Sequence, residues 1–222
     1  MTPEEVAVAA MGICSDYTDS YPTTRSIMYQ RISARQRELF AHIATLDPEF
    51  YGAEAVVEVM DGAANIGALE QSGDVYPVER IQLVQIEDPG QSAGRVAGER
   101  VTLVRATDTH AFSPPRATYR SGVIRGVEDD LDGVASILAY YSRRPRTIGP
   151  DGAGEIELLE PFQYLLVYDL SRDLIRRTAG IEGEKKAAAL AMIERAEKEL
   201  MEGLAEHIRH AARAREDRFA GA

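Results

Sequence analysis

Residues 119–142, YRSGVIRGVEDDLDGVASILAYYS, hold the pattern on which the fold of this chain depends. The two flanks, 119–127 and 134–142, are rich in valine, isoleucine and tyrosine, which is typical of strands. An acidic, glycine-containing segment, 128–133, separates them, and we interpret it as a polar hairpin turn. Further candidate strands follow one another through residues 54–141 with no helical pattern between them. That order favours an antiparallel sheet or sandwich.

The acidic segment 128–133 also resembles a calcium-binding loop, so a metal site is the competing interpretation. Asp130, Asp132 and Gly133 match the loop pattern, and Glu128 stands where the first aspartate belongs. The twelfth position, which should supply a bidentate glutamate, is Ala139, and the flanks are strand-like instead of helical. The sequence therefore favours a turn over a calcium site.

Composition limits the class of protein. The chain has 222 residues and a net charge of −11, which disfavours tight binding to DNA through its phosphates. No apolar run approaches the roughly 18 residues of a membrane-spanning helix, and no signal peptide is recognised at the start of the chain. The single cysteine, Cys14, excludes an internal disulfide and suits a reducing compartment. We expect it to be a small buried thiol on a helix.

Helical periodicity brackets the β region. Apolar stripes at spacings of three and four run through residues 22–46, 161–180 and 182–208. The predicted stripe residues are Met28, Ile32, Leu39, Ile43 and Leu46, then Phe162, Leu166, Leu170 and Leu174, then Leu190, Ile193, Leu200, Leu204 and Ile208. The predicted fold class is α+β: a helical bundle formed by the N-terminal helices and two C-terminal helices, with an inserted antiparallel sheet or sandwich and an extended C-terminal tail.

The predicted organisation has four segments. Residues 1–52 hold the N-terminal helices of the bundle, 53–148 the antiparallel β region, 149–206 the C-terminal helices, and 207–222 an extended docking tail. The glycine- and proline-containing stretch 88–99 is long for a simple hairpin, and we expect it to project as a loop.

Candidate chemical sites are few. His207 and His210 are spaced for one face of a helix, but a zinc site needs three or four ligands and the chain offers no others at a telling spacing. Asp129, Asp130 and Asp132 are candidates for general acid–base work, although neighbouring acids in a turn are ordinarily solvent-facing charges. The sequence contains no nucleotide-binding, hydrolase or Cys–His signature. We therefore predict that the protein is not an enzyme and carries no metal or cofactor.

Two arginine clusters are the remaining features. One decorates the early helix, at Arg25, Arg31, Arg35 and Arg37, and the other the C-terminal tail. Charge on a helix surface is most often a solvated face. The functional interpretation is docking onto an acidic partner, for which the tail is the stronger candidate because it offers charge without a core of its own.

Residues 114–175 resemble the head-to-tail adaptor (head-completion or connector) proteins of tailed bacteriophages. The resemblance rests on a proline-rich entry at 114–122, the β segment with its acidic turn, Tyr140 and Tyr141 followed by Pro145, and the amphipathic stretch 158–175. In that family a Tyr-Tyr pair and a proline, then Leu-Pro-Glu and a Phe or His, join the sheet to the C-terminal helices. Here Leu159, Glu160, Pro161 and Phe162 stand in those places, with the order of glutamate and proline reversed.

The resemblance implies a virion protein of the phage neck, made in the bacterial cytoplasm. Its copies would form a ring, usually of twelve subunits, beneath the portal protein, with DNA passing through the channel and a tail or head-closure protein below. The implied portal-docking residues are Arg209, Arg213, Arg215, Arg218 and Phe219. For subunit or portal contacts we predict Arg25, Arg31, Arg35 and Arg37, and for contact with the next ring Asp88, Pro89, Gln91 and Arg95. Deletion of 209–222 is expected to leave a folded protein that no longer binds the portal.

Two alternatives stay open at this point. One is an enzyme or small-ligand-binding domain whose site is built from carboxylates and histidines without a motif. The other is a different neck ring, such as a tail terminator. Neither alternative involves a membrane.

Overall fold

Helices and strands of this chain separate into two units. The computed structural model describes all residues except 18–20, 22, 67–77, 88–96, 104–114, 129 and 221–222; the side chains of 78–80, 82–83, 87, 97–100 and 216–220 are also not described. The helical unit comprises Met1–Asp47 and Pro145–Ala222, and the barrel unit is the single stretch Pro48–Arg144. The barrel unit is thus an insertion in the sequence of the helical unit.

The helical unit contains α1 (Pro3–Cys14), α2 (Arg25–Leu46), α3 (Tyr164–Arg177) and α4 (Gly183–Ala220), with a short 3₁₀ turn at Glu160–Phe162. Thr2 begins α1 through a capping box with Glu5, and the Thr24 hydroxyl accepts a hydrogen bond from the backbone N–H of Ile27 at the start of α2. α3 packs against all three other helices, and it therefore forms the centre of this unit.

The predicted apolar stripes supply most of the core of the helical unit. Two stripes are almost wholly buried: the one on α2 except for the half-buried Leu46, and the one from Phe162 to Leu174. On α4, Ile193, Leu204 and Ile208 are buried, while Leu190 and Leu200 are half-buried. Burial of such side chains is the main favourable term in folding, at about 25 cal/mol per Å² of apolar surface.

Seven strands are described in the barrel unit. Their order around the closed barrel is β1-β2-β6-β5-β4-β3-β7, and β7 pairs back to β1. The strands are β1 (Gly52–Met60), β2 (Ala63–Asn65), β3 (Val78–Glu87), β4 (Ala97–Leu103), β5 (Arg116–Arg120), β6 (Val123–Gly126) and β7 (Ser136–Arg143). Ile124, Leu131, Ile137 and Tyr141 are among the side chains that fill the barrel core. Inward-facing residues alternate along the strands, as Ile137, Ala139 and Tyr141 do in β7.

The predicted fold class is wrong. An open antiparallel sheet or sandwich inserted in a bundle was expected, whereas the strands close into a barrel in which β4 and β5 run parallel. The expected hairpin over 128–133 is also absent from the described barrel, because β6 pairs with β2 and β5 while β7 pairs with β1 and β3. The hairpin lies one step earlier, at Ser121 and Gly122 between β5 and β6. Both of these residues have positive φ, as tight hairpin turns require.

The expected extended tail is a second correction, because α4 continues without interruption to Ala220. Residues 205–220 are dominated by alanine, arginine and glutamate, which have high helix propensity. Helix formation therefore persists past Ile208, the last residue of α4 seen to be buried among those described. Low hydrophobicity was mistaken for lack of structure.

Candidate functional site

The C-terminal end of α4 carries exposed arginines beyond the core of the helical unit. Arg209 and Arg213 are four residues apart, so they lie on the same side of the helix, and both are exposed. Neither has an ion-pair partner among the described residues. Arg215 differs, since it forms an ion pair with Asp47 at the end of α2. Arg218 and Phe219 belong to α4, but their side chains lie outside the described part.

The two histidines of α4 are occupied by ordinary contacts. The ring of His207 packs against that of Phe162, with centroids 5.8 Å apart, and His210 lies 3.7 Å from a carboxylate oxygen of Glu206. Within the part of the chain that the structure describes, no three His, Cys, Asp or Glu residues are grouped so as to hold a metal ion. The helical histidine pair is therefore not assembled into a zinc site there.

Most of the early arginine cluster is engaged inside the helical unit. Arg25 pairs with Glu4 at 3.2 Å. Arg31 donates two hydrogen bonds to Asp169 of α3, at 2.8 and 3.1 Å. Arg35 donates one to Glu197 of α4, at 2.6 Å. These three arginines serve the fold directly.

Asp169 and Glu197 form the centre of this ion-pair network. The side chain of Asp169 is 1% exposed, and Arg172 binds the carboxylates of both acids. Buried carboxylates are tolerated because cations surround them, and removal of one partner leaves an uncompensated charge. The network therefore fastens α2 and α4 to α3 and is a structural element of the helical unit.

Arg37 is the member of the early cluster that stays exposed. It has no ion-pair partner within the described residues, whereas Arg25, Arg31 and Arg35 have theirs. It lies on α2 where the buried face gives way to the exposed face, since Gln36 before it is buried and Glu38 after it is exposed. Of the four predicted contact residues, Arg37 is thus the best placed to meet another molecule.

The acidic segment 128–133 is, in its described residues, a turn held by a buried arginine. Arg116, which is 8% exposed, donates from its backbone N–H and its Nε to Asp130, at 2.9 and 2.8 Å, and from Nη2 to Glu128 at 3.0 Å. The two hydrogen bonds from Arg116 to Asp130, the side-chain one above all, lower the pKa of that carboxyl. A carboxylate stabilised in this way is a poor proton donor or acceptor near neutral pH, which argues against the acid–base interpretation.

Other predicted site residues are not placed. Asp129 of the acidic turn lies outside the described residues. The next-ring residues Asp88, Pro89, Gln91 and Arg95 also lie outside them, so that prediction stays as it was.

A groove on the helical unit was not predicted from the sequence. It measures about 410 Å³ and lies between α3 and α4. We call it the tyrosine groove; its lining residues are Pro161, Tyr164, Tyr168, Ala196, Glu199 and Leu200. The available signal was the placement of Tyr164 and Tyr168 one helical turn apart, off the apolar stripe of α3.

Comparisons with known proteins add no relative. The chain matches no protein-family model, and a search of curated proteins gives no significant match. Within the described ranges, every helix is too short or too polar to cross a membrane.

Proposed function

We propose that this chain is a structural, non-enzymatic component of the neck of a tailed bacteriophage, an adaptor ring that binds below the portal protein. The observation that carries the proposal is the end of α4, where the helix runs past Ile208, the last residue described as buried, and presents Arg209 and Arg213 without partners among the described residues. The resemblance of residues 114–175 to head-to-tail adaptors supports the same assignment.

The energetics of the α4 end suit a docking segment. Residues 209–215 include no buried side chain, so they gain little from packing on their own unit. An arginine guanidinium binds carboxylates through two parallel hydrogen bonds, and such charge-assisted bonds are about twice as strong as neutral ones. An acidic surface on the portal protein would supply the missing partners.

The overall charge suits a DNA channel. With a net charge of −11 per chain, a ring of copies would surround passing DNA with negative potential. Like charges keep the polymer from adhering to the wall, which is what a conduit for an ejected genome requires. The ring would also give the next tail or head-closure protein its platform.

Mass photometry tests the proposal. The purified chain is measured alone and after mixing with the portal protein encoded nearest to its gene. We expect a monomer alone and a ring-sized assembly in the mixture. A fixed dimer or tetramer that ignores the portal would overturn the proposal and return attention to a ligand-binding function.

Charge reversal tests the α4 end more directly than deletion. A cut after residue 208 would make the buried Ile208 terminal and fray the core, so we prefer Arg209→Glu with Arg213→Glu. Two charge-assisted bonds of about 1.5–3 kcal/mol each are lost, which weakens portal binding by about a hundredfold or more. The control reverses two other exposed charges of α4, through Lys185→Glu and Lys198→Glu. Equal portal affinity in the two double variants would exclude the α4 end as the docking element.

A further inference from the structure

Exposed apolar side chains line and flank the tyrosine groove. Tyr164 is 49% exposed, and Met192, one turn before Ala196 on α4, is 56% exposed. Tyr164 and Tyr168 lie side by side, with ring centroids 6.3 Å apart. Tyrosine and methionine are enriched in protein–protein interfaces relative to the rest of the surface. This composition indicates that the groove receives another protein segment.

The outer face of α2 is a second apolar surface of the same unit. Ile27 is 42% exposed, Ala34 and Ala41 are half-buried, and these residues follow the helical spacing of seven. The small side chains of the two alanines let another helix approach closely. Arg37 lies on this face and is its unpaired cation within the described residues.

The groove and the outer face of α2 point in different directions. Arg31 of α2 contacts Asp169, which marks the side of α3 that faces α2. Tyr164 lies five residues earlier, about 140° around the helix axis, since each residue advances a helix by about 100°. The groove is therefore turned away from α2, while the outer face of α2 lies on the opposite side of that helix from its buried Ile32, Gln36 and Leu39. One copy cannot join its own two surfaces, but successive copies can.

Charge selects α2 over α1 as the segment that enters the groove. The groove carries Glu199 in its lining and the exposed Glu160 next to Pro161. The exposed first turn of α1 is acidic, with Glu4 and Glu5, so it would be repelled. The outer face of α2 brings Arg37 instead, and the neighbouring exposed acid, Glu38, is already paired with Arg35.

The spacing of anchors differs by about 5 Å between the two surfaces. Ile27 and Arg37 are about 15 Å apart along α2, and Met192 and Glu199 are about 10 Å apart along α4, at 1.5 Å per residue. The long, flexible arginine side chain covers the difference between the two spans.

We propose that the tyrosine groove of one copy of this chain receives the outer face of α2 of the next copy, so that identical head-to-tail contacts build the ring. Such a contact uses two different surfaces of each subunit, which is the arrangement that closes into rings. This inference rests on the proposed function and adds the surfaces through which the subunits join.

Disulfide cross-linking of the full-length chain tests the contact. Gln30→Cys on the outer face of α2 and Ala196→Cys in the groove leave Ile27, Arg37, Tyr164 and Met192 in place. The native Cys14 is buried and does not compete. Equal amounts of the two variants are mixed with the portal protein, on which the ring is expected to assemble, and oxidised. The control mixture replaces Gln30→Cys by Val8→Cys on the exposed face of α1.

We expect the Gln30→Cys and Ala196→Cys pair to form heterodimers at least about tenfold faster than the control pair, because residues held at a junction meet at millimolar effective concentration. Adding Ile27→Glu to the Gln30→Cys variant should lower the rate of heterodimer formation to that of the control pair. Adding Arg37→Glu to the Gln30→Cys variant should reduce this rate. Adding Glu199→Arg to the Ala196→Cys variant should then restore it. A rate equal to that of the control pair would overturn the inference.

Portal binding is scored in parallel, on the uncross-linked wild-type chain. If the cross-link fails while a ring still assembles on the portal, the surfaces assigned here are wrong and the adaptor function stands. If the cross-link forms but the portal is ignored, the head-to-tail contact stands and the adaptor function falls. If both fail, both proposals fall.

Discussion

The thiol of Cys14 measures how well the interior of the helical unit is shielded from water. It ends α1, is buried, and its thiol lies 3.6 Å from the carbonyl oxygen of Ser171 on α3. Burial raises its pKa from 9.0 to about 11, because the thiolate loses its hydration. Reactivity needs the thiolate, so the folded protein should protect this group.

We predict that Cys14 reacts with a disulfide reagent at pH 8 far more slowly in the native protein than in urea. The raised pKa also sets a pH dependence. Its contribution to the free energy of unfolding is fully present below about pH 9 and is lost as the pH rises towards about 11, by about 2 to 3 kcal/mol. Thiol titration and urea denaturation at pH 8, 9.5 and 11 measure both effects.

Cys14→Ala is the control for the pH dependence, because it removes the titrating group. Its free energy of unfolding should fall less than that of the wild-type protein between pH 9 and 11. Rapid native labelling at pH 8 would contradict the burial of this thiol.

Single residues also mark the limit of sequence prediction. The buried helical Cys14 was predicted correctly, because an isolated cysteine in an alanine-rich helix has few other uses. The fates of Arg31 and Arg37 were not predictable. Both lie on α2. They differ because Arg31 binds Asp169, which lies 138 residues away in the chain, so no local pattern distinguishes them.

At the scale of elements, three helices depend on the carboxylates of Asp169 and Glu197. We predict that Asp169→Asn lowers the free energy of unfolding by about 3–5 kcal/mol, because Arg31 and Arg172 then lose a buried counter-ion. Urea denaturation followed by far-ultraviolet circular dichroism measures the change.

Asp173→Asn is the matched control on the same helix. Asp173 pairs with Arg177, whose side chain is 53% exposed, and such exposed pairs contribute at most about 1 kcal/mol. Similar losses from the two substitutions would show that burial of the network does not govern its contribution.

Strand pairing shows why local pattern did not give the barrel. The strand character of 119–142 was predicted, but residues 128–133 were taken as the hairpin when Ser121 and Gly122 form it. Acidic residues with a glycine signal any bend of the chain, and they do not say which strands pair across it. Here the bend is held by Arg116, so β6 and β7 diverge to different neighbours. Barrel closure depends on pairings such as β1 with β7, far apart in sequence, which no local signal encodes.

At the scale of the whole molecule, the barrel unit is a self-contained insertion. Its first and last strands pair directly, with Gly52 opposite Ser142, and the backbone N–H of Arg143 donates to the carbonyl of Tyr51 at 3.0 Å. The chain therefore enters and leaves the barrel unit at neighbouring positions. Adjacent ends are the condition under which one domain is tolerated inside another.

We predict that residues 48–144 fold when expressed alone, because the described side chains of the barrel core all belong to this segment. The fragment should show a β-type circular dichroism spectrum and a cooperative thermal transition. Ile124→Ala, which removes a fully buried core side chain, should lower its free energy of unfolding by about 2–5 kcal/mol, whereas Met60→Ala at an exposed position should change it little. A fragment without a cooperative transition would mean that the barrel unit depends on the helical unit for its fold.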